Sequence, residues 1–385
     1  MNVLMIANSL ECYGANNSML DMIAALKEKG INILVFVPGK GEFNRELRRR
    51  CIRYFVIPYY YCADISGSQE KKFKKLWDNI CLAWKTRYLV KEKKIDLIHT
   101  NASNVDFGII LAAMCNLPHV WHIRELLYED YRLKYNFPNL EKKFMRRTDC
   151  LIYISRFVAE KRKCGGRYVI LRDGLDIKKY KIHKSELFSN HIIRILYCGI
   201  ISKEKGTIDA IRAVKKMIEW GYTNVQLDIV GTWNDYCMDL INYVKQNELD
   251  KYIFFRGYEK NMYKYRQKTD IAVMCSRNEA LGRVVVESML GECLMIGANS
   301  GGIRELIKDG KTGYLYEPGN SEQLAHKICL VIQNIEESKK IVKAAKNYAE
   351  NQFDSADYAK RICKIYTKCL QSSDKQIEVY NEKNS

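Results

Sequence analysis

Short apolar segments alternate with amphipathic segments along the whole chain. Residues 3–8 (VLMIAN) are apolar and predict a strand, and residues 18–29 carry apolar side chains at helical spacing before Gly30. The predicted strands are apolar throughout, which is typical of a parallel sheet that is covered on both faces. The pattern therefore predicts an α/β protein in which strands and helices take turns.

A polar stretch at residues 182–190 interrupts this alternation, and the pattern then restarts. We expect two doubly wound, Rossmann-like parallel-sheet domains that face each other across a cleft, with ligands beyond the carboxyl ends of the strands. The predicted domains are residues 1–182 and 190–350, followed by a C-terminal helix and frayed tail in 351–385 that can pack back on the N-terminal domain. The helices predicted for the second half are 207–220, 236–248, 282–290, 324–346 and 356–370.

Composition excludes several classes of protein. The 385 residues are 47% hydrophobic and 28% charged, as in globular proteins, and no apolar run approaches the roughly 20 residues of a membrane span. The 14 cysteines form no C-x-x-C pair, and the chain starts without a basic and then apolar export signal. We therefore expect free thiols in a cytoplasmic protein, with no structural metal. Peripheral attachment to the inner face of the cell membrane stays open.

The net charge of +18 is concentrated in the first half of the chain, where residues 42–94 carry 14 Lys/Arg and 6 Asp/Glu. Within it, residues 69–94 combine Phe73, Trp77 and Trp84 with interleaved lysines. Two interpretations stay open: contact with an anionic membrane surface, or a core-facing helix with solvated lysines. No module typical of nucleic-acid binding is present, so we do not expect a nucleic-acid partner.

Three segments have the residues that a phosphate-binding site needs. Glu279 and Glu287 flank the start of a predicted helix at Gly282, and a helix start offers free N–H groups to an anion. Taken alone, this pair is more typical of two ordinary glutamates, one at a helix start and one on a solvated face. The second segment is a strand, glycine turn and helix in residues 197–211, and the third is the first turn at Gly14, which lacks the G-x-G-x-x-G fingerprint of dinucleotide sites.

In this order and spacing, the segments resemble the retaining glycosyltransferases of the GT-B fold, family 4 type, also called glycosyl transferases group 1. The resemblance covers most of the chain and is strongest over residues 193–320. The motifs that carry it are YGA, VWHIRE, YISRF, LRDGLD, CGIISKEKG, the E-x7-E pair, and NSGGIREL followed by DGKTGYLYEPG.

The resemblance implies transfer of a hexosyl group from a nucleotide-sugar donor to a polysaccharide or lipid-linked glycan, as in cell-surface polysaccharide, capsule or lipopolysaccharide biosynthesis. It places the acceptor in domain 1–182 and the donor in domain 190–350. It also implies a front-face mechanism, in which the departing phosphate oxygen helps to take the acceptor proton. Because the sequence has no D-x-D pair, we expect neither a metal nor another cofactor.

The resemblance further implies roles for single residues. Lys205 would bind the donor diphosphate, Glu279 would lie beside the transferred sugar, and His122 would reach the sugar from the N-terminal side. Glu287 would bind the nucleotide ribose. The other donor-binding residues that it implies are Gly14, Gly199, Lys203, Gly257, Tyr258, Leu281, Gly282, Arg283 and Val284.

The sequence departs from the family pattern at three positions. Ile200 stands where the family usually has an arginine on the diphosphate, and Lys203 or Arg283 are candidate substitutes. Asp173 replaces a usual asparagine, and Asn101 replaces the second residue of a usual histidine pair. Ile200 leaves open an alternative, a weak or inactive relative that binds a nucleotide sugar or a partner transferase. A basic surface-binding protein without chemistry is a third hypothesis.

Overall fold

The computed structural model describes residues 1–12, 14–162, 165–182, 184, 187–188 and 191–371. The strands in this part of the chain are β1 (Asn2–Ile6), β2 (Asn32–Val37), β3 (Arg53–Val56), β4 (Ala63–Asp64), β5 (Leu97–Thr100), β6 (His119–Ile123), β7 (Lys134–Tyr135), β8 (Cys150–Tyr153), β9 (Tyr168–Ile170), β10 (Ile193–Cys198), β11 (Val225–Val230), β12 (Ile253–Gly257), β13 (Ile271–Met274), β14 (Leu294–Ala298) and β15 (Tyr314–Tyr316).

The helices between and after these strands are α1 (Gly14–Glu28), α2 (Glu42–Arg49), α3 (Gln69–Glu92), α4 (Phe107–Cys115), α5 (Leu127–Tyr131), α6 (Pro138–Arg147), α7 (Arg156–Lys161), α8 (Ile177–Tyr180), α9 (Thr207–Glu219), α10 (Asp235–Gln246), α11 (Tyr263–Arg266), α12 (Arg283–Leu290), α13 (Ile303–Leu306), α14 (Ser321–Gln333), α15 (Ile335–Gln352) and α16 (Ser355–Gln371).

The first compact unit consists of Met1–Leu175 and the segment from Ser355 onward. Its seven-stranded sheet has the order β3-β2-β1-β5-β6-β8-β9, and every neighbouring pair of strands is parallel. Leu4 of β1 lies opposite Leu34 of β2 and Ile98 of β5, and all three side chains are buried. This burial on both faces explains why the strands are apolar throughout rather than alternating.

Two helices of the first unit, α16 and α3, pack into different core clusters. α16 packs against α1, and its apolar side chains, including Ile362 and Tyr366, join the same core cluster as Met19 and Ile23 of α1. α3 packs against α4 on another part of the sheet. α16 therefore belongs to the first unit although it comes from the end of the chain.

The second unit, Asp176–Asp354, has a six-stranded parallel sheet in the order β12-β11-β10-β13-β14-β15. The strand order reverses beside β10, whose two neighbours are β11 and β13. In doubly wound sheets this switch point opens a crevice at the carboxyl ends of the strands, where ligands bind. The loops after β10 and β13 therefore lie where a ligand site is expected.

Two differences from the sequence prediction concern the domain boundary and a long helix. The division between the units falls at Leu175 and Asp176, before the polar stretch at 182–190, and α8 packs against α12 of the second unit. The single helix predicted for residues 324–346 is wrong, because Asn334 leaves the helical conformation (φ −126°, ψ 58°) and separates α14 from α15. Its side-chain amide donates to the Leu330 carbonyl at 2.9 Å, the kind of local bond by which asparagine competes with a helix.

The described residues contain neither a disulfide nor a membrane-spanning helix. None of their helices combines the length and the apolar character that a membrane crossing needs. The tail predicted to fray lies outside the described residues from position 372 onward, and the first turn is described except for Tyr13.

Candidate functional site

The loops after β10 and β13 touch through their backbones. A Cβ atom on Gly206, which has φ +64°, would lie 2.1 Å from the carbonyl oxygen of Cys275. The backbone N–H of Arg277 donates to the carbonyl of Glu204 at 2.8 Å. Only glycine permits this approach, because any side chain would clash with the backbone and is strained at positive φ. The two loops therefore form one continuous rim at the switch point.

An ion pair lies on this rim. Lys205 Nζ is 2.9 Å from Glu279 Oε2, and the two side chains are 20% and 17% exposed. The hydroxyl of Tyr197 lies 3.1 Å from the carbonyl oxygen of Ile200 and 3.3 Å from that of Lys205, which holds the loop after β10 in place. The structure thus brings together the lysine and the first glutamate that the sequence singled out.

The helix that follows Glu279 begins with a glycine in a left-handed conformation. Gly282 has φ +92° and is the N-cap residue of α12, while Leu281 before it is buried. The backbone N–H groups of Arg283 and Val284 belong to the first turn, where a helix lacks internal acceptors for its donors. Helix starts of this kind favour anions, and this one lies beside Glu279, because a Cβ atom on Gly282 would be 3.5 Å from Glu279 Cγ.

Glu287, one turn further along α12, is held by two arginines. Its Oε1 accepts from Arg283 Nε at 2.9 Å, and its Oε2 accepts from Arg266 Nη2 at 2.5 Å. Burial alone would raise the pKa of Glu287, but the two guanidinium groups outweigh it and hold this pKa below its ordinary value. Glu287 is therefore a fixed negative charge, and as a carboxylate it only accepts hydrogen bonds.

Sequence reasoning missed Arg266. It lies at the end of α11, is almost fully buried, and its guanidinium also faces the Tyr180 ring at 5.8 Å. Nothing in its local sequence marks it, because its partner Glu287 is 21 residues away. A buried arginine needs such a partner, so the pairing becomes visible only in the folded unit.

Sequence reasoning also missed how the NSGG motif supports the site. A Cβ atom on Gly301 would lie 2.4 Å from the Glu279 carbonyl oxygen, and the N–H of Gly302 donates to that carbonyl at 2.7 Å. The Ser300 hydroxyl donates to the Ser276 carbonyl at 2.6 Å. The motif therefore sets the position of the loop that carries Glu279. Consecutive glycines after a strand were the available signal of a close backbone approach.

Further along the rim, the loops after β11 and β12 present two exposed aromatic side chains, Trp233 and Tyr258. Gly257 has φ +74°, and a Cβ atom there would lie 2.9 Å from Trp233 Nε1. Gly199, at φ +149°, has open space where its Cβ would be, and its carbonyl oxygen would be 2.1 Å from a Cβ on Gly231. Trp233 was not predicted as a site residue.

Ile200, which stands where the family usually has an arginine on the diphosphate, is exposed. Of its two candidate substitutes, Lys203 is exposed and lies over the Tyr236 ring at 5.8 Å. Arg283 is bound to Glu287 and also donates to the Tyr180 hydroxyl at 3.0 Å. The structure thus gives each candidate a partner of its own within the second unit.

Two predicted site residues belong to the first unit. Gly14 is the exposed first residue of α1, with open space where its Cβ would be. His122, near the carboxyl end of β6, is fully buried, with its ring stacked on His99 at 5.7 Å between centroids. Burial lowers the pKa of His122 well below its ordinary value, and the charge of Arg124 lowers it further. His122 is therefore neutral, and its role toward a sugar stays a prediction.

The side chains around His122 form a buried polar cluster. Arg124 donates from Nη2 to His122 Nδ1 at 3.2 Å, from Nε to Asn101 Oδ1 at 3.1 Å, and from Nη1 to the Asp173 carboxylate. Burial would lower the pKa of Arg124, but Asp173 and the neighbouring Tyr358 outweigh it and raise that pKa. Asn101 and Asp173, two of the departures from the family pattern, are thus partners of the same buried arginine.

In the described part of the chain, no group of three or more His, Cys, Asp or Glu side chains is arranged to hold a metal ion.

Two family profiles match successive parts of the chain. The profile described as Glycosyltransferase Family 4 matches residues 13–166, and the profile described as Glycosyl transferases group 1 matches residues 178–348. The chain belongs to the group 1 glycosyltransferases of the family 4 type. The second profile contains every residue of the rim described above.

Among curated relatives, N-acetyl-alpha-D-glucosaminyl L-malate synthase of Bacillus anthracis is 27% identical over 201 residues, which are 52% of this chain and 50% of that protein. A Campylobacter jejuni N-acetylgalactosaminyltransferase, named for a diphospho-undecaprenol-linked substrate, is 24% identical over 306 residues, 75% of this chain and 76% of that protein. The chain spans about half the length of the first curated relatives that it matches.

Among solved structures, Anabaena HepE in complex with UDP and glucose aligns with a TM-score of 0.79 at 22% identity. The alignment covers 96% of this chain and 100% of HepE. This similarity establishes that the chain has the GT-B fold.

Proposed function

We propose that the protein is a retaining glycosyltransferase that transfers a hexosyl group from a nucleotide-sugar donor to a polysaccharide or lipid-linked glycan. The observation that carries the proposal is the pairing of Lys205 with Glu279 beside the first turn of α12, at the switch point of the sheet. Family membership supports it, because the group 1 profile spans this rim.

The diphosphate of the donor would bind at Lys205 and the first turn of α12. A diphosphate would compete with Glu279 for the Lys205 ammonium, and backbone N–H groups in the first turn of α12 would add hydrogen bonds. These groups would carry the charge that develops on the leaving phosphate, the task that a divalent cation performs in other transferases. Metal independence is therefore part of the proposal.

The ribose of the donor would bind at Glu287. Both Glu287 oxygens already accept from arginine, but a carboxylate has further lone pairs that can accept from ribose hydroxyls. The two arginines would hold it charged and in one orientation. The base would then extend toward the exposed rings of Trp233 and Tyr258, on which a flat base can stack.

The proposed chemistry is a front-face displacement. The bond between the sugar and the phosphate breaks, the acceptor hydroxyl forms the new bond on the same face, and the departing phosphate oxygen takes the hydroxyl proton. Lys205 would stabilise that oxygen, and Glu279, released from Lys205, would lie beside the sugar. The rate would increase because hydrogen-bond donors and a positive charge are already in place where negative charge develops in the transition state.

The acceptor class is a further part of the proposal. The names of the relatives specify different acceptors, malate for the Bacillus protein and a lipid-linked saccharide for the Campylobacter protein. We favour a glycan or lipid-linked acceptor, which would place the enzyme peripherally on the inner face of the cell membrane. UDP-sugars come first among the donors to test, since HepE binds UDP and glucose.

One observation favours a second candidate function, a weak or inactive relative that binds the donor without turnover. Ile200 supplies no charge, and Lys203 and Arg283 each have another partner. Such a protein would bind a nucleotide sugar with normal affinity and leave it intact.

The experiment is a donor panel of UDP-, GDP- and ADP-sugars, read by calorimetric binding and by release of the nucleoside diphosphate. We expect one donor to bind and be consumed, and Lys205→Ala to lower its turnover by about 10²–10³-fold. Lys203→Ala is the matched control, because it removes the same charge from the same loop. If Lys203, which lies over the Tyr236 ring, does not bind the phosphate, turnover of Lys203→Ala should stay within about threefold of the wild type.

The possible outcomes separate the hypotheses. Binding without turnover by the wild type supports the inactive relative. Absence of both binding and turnover across the panel contradicts the transferase proposal, and a larger loss for Lys203→Ala than for Lys205→Ala would reassign the phosphate contact.

A further inference from the structure

The outer side of α3 carries a stripe of aromatic side chains. Phe73, Trp77, Trp84 and Tyr88 are 61%, 65%, 55% and 62% exposed. Their spacing of four, seven and four residues puts them on one side of a helix, in a row about 22 Å long at the usual rise per residue. Large apolar side chains exposed in a contiguous row mark an interaction surface.

The opposite side of the same helix faces the core. Its buried residues, Asn79, Ala83, Thr86 and Val90, follow the same helical spacing, and α3 packs on α4 through this side. Residues 69–94 thus contain a core-facing helix, as one of the two interpretations predicted, but Phe73, Trp77 and Trp84 do not lie on the side that faces the core. α3 therefore has one face that stabilises the fold and a second, aromatic face that is mostly exposed. On this second face Phe73 contacts the Phe137 ring at 4.8 Å between centroids, and Trp77, Trp84 and Tyr88 are each more than half exposed.

Positive charge flanks the aromatic row. Lys71, Lys74 and Lys85 are exposed, and the Arg87 guanidinium lies 4.2 Å from the Trp84 ring and 4.5 Å from the Tyr88 ring. The helix has seven Lys/Arg and three Asp/Glu. An apolar aromatic row within a positive surround is complementary to a surface that is apolar below and negative on top.

We propose that this face of α3 docks onto an anionic lipid bilayer, with Trp77 and Trp84 at the level of the headgroups. Indole and phenol rings favour the boundary between water and hydrocarbon because one end is apolar and the other polar. Lysine stems can lie along the apolar layer while their ammonium groups reach lipid phosphates. The proposed function explains only why the protein would dock on a membrane. Docking itself requires neither the sugar donor nor the acceptor.

The first test is flotation of the full-length protein with vesicles of phosphatidylcholine alone or equimolar phosphatidylcholine and phosphatidylglycerol. We expect recovery with the anionic vesicles only, and a sharp fall in salt, because the screening length drops from about 10 Å at 0.1 M to about 3 Å at 1 M. Trp77→Ser/Trp84→Ser and Lys74→Glu/Lys85→Glu should each lower the partition coefficient at least tenfold.

A matched control separates local charge from net charge. Lys340→Glu/Lys343→Glu makes the same change in net charge at two exposed lysines of α15 in the other unit, so it should bind as the wild type does. Thermal unfolding of every variant checks that it is folded, which we expect because the changed side chains are exposed. Equal losses in both charge-reversal pairs would overturn docking through α3.

The second test locates the tryptophans directly. Brominated phosphatidylglycerol quenches an indole only at short range, so quenching should disappear in Trp77→Phe/Trp84→Phe, which keeps an aromatic row. It should persist in Trp220→Phe/Trp233→Phe, which removes the two exposed tryptophans of the other unit. The reverse pattern would overturn the proposal.

Three further outcomes would count against the lipid assignment. Equal recovery with neutral and anionic vesicles would remove its electrostatic basis. Binding to neither vesicle would overturn it outright, and salt-sensitive RNA binding that is lost in the same α3 variants would assign the face to nucleic acid. Because no sugar donor is present, these outcomes are distinguishable from a failure of the proposed transferase activity.

Discussion

The carboxyl edges of the two sheets use the same chemistry in opposite ways. In the second unit, the ion pair of Lys205 and Glu279 lies on a rim and keeps about a fifth of its surface exposed. In the first unit, the ion pair of Arg124 and Asp173 has 2% and 4% exposure. Two sheets of similar topology thus place a cation and a carboxylate at corresponding edges, one pair accessible to a ligand and one enclosed.

The enclosure in the first unit comes from α16. The Tyr366 hydroxyl lies 2.6 Å from His99 Nδ1, and Tyr358 interacts with Arg124. In the second unit, Gly206 and Gly301 have no side chains that could cover the edge of the sheet. Neighbouring backbone segments therefore pack directly against them. Accessibility therefore depends on what packs over an edge more than on which charged residues it carries.

The largest expected effect comes from breaking the enclosed pair. Arg124→Met leaves the Asp173 carboxylate buried without its cation, and removing one partner of a buried pair typically costs about 3–5 kcal/mol. We expect the free energy of unfolding, measured in urea by tryptophan fluorescence, to fall by that amount. Arg124→Met/Asp173→Asn removes both charges and should recover most of the loss.

The accessible pair provides the contrast. Lys205→Ala should lower the free energy of unfolding by less than about 1 kcal/mol, because a partly exposed pair is screened by water. If Lys205→Ala proves as destabilising as Arg124→Met, the distinction between an accessible and an enclosed edge fails.

A smaller effect concerns a buried carboxyl of the first unit. Burial raises the pKa of Asp106 from 3.8 to about 6, although Asn79 donates to it at 3.1 Å. The folded chain therefore binds this proton more tightly than the unfolded chain does, so the group costs stability as the pH rises through the window from 3.8 to about 6. The cost above that window is about 2–3 kcal/mol.

Asp106→Asn should remove this cost. The amide keeps the acceptor for Asn79 but has no charge, so the variant should gain about 2–3 kcal/mol over the wild type at about pH 7.5 and nothing near pH 4. Asp239→Asn, at an exposed position, is the control and should change stability little at either pH. A gain that is independent of pH would show that the Asp106 proton is not its source.

The smallest expected effect comes from adding a methyl group to a glycine of the rim. A Cβ atom on Gly302 would lie 2.6 Å from the Ala280 carbonyl oxygen and 2.7 Å from Leu281 Cα, both of them backbone atoms. Gly302→Ala should cost about 1–3 kcal/mol through overpacking. It should also weaken donor binding, because the loop of Glu279 must move.

Gly67→Ala is the matched control for this change. A Cβ on Gly67 would meet only the end of the Lys72 side chain at 4.0 Å, so the added methyl group should change stability by less than about 0.5 kcal/mol. Normal donor affinity in Gly302→Ala would show that the NSGG motif does not position the site.

Local patterns predicted most of the helices that carry an apolar face. The helices expected at 207–220 and 356–370 match α9 (Thr207–Glu219) and α16 (Ser355–Gln371) to within two residues. Their apolar side chains recur at helical spacing, and this signal needs no knowledge of the rest of the fold. The local sequence pattern of a strand, a glycine turn and a helix likewise predicted the loop that carries Lys205.

Other features were not visible in the helical pattern of the sequence. The break at Asn334 comes with a bond from its side-chain amide to the Leu330 carbonyl, four residues earlier, and the helical pattern of the flanking residues concealed it. The outward face of α3 was undecided in the sequence, because both of its sides carry residues at helical spacing. Packing on α4 selected the side with the small residues and left the aromatic side exposed.

The sequence alone determined the alternation of strands and helices, the family, and the residues that border the switch point, since each of these depends on local spacing and order. Only the tertiary structure decided which charged side chains are accessible. It paired Glu287 with Arg266, gave Arg124 both Asn101 and Asp173, and enclosed His122. The physical reason is that burial and charge pairing are properties of neighbours in space, and these neighbours come from segments that no local pattern connects.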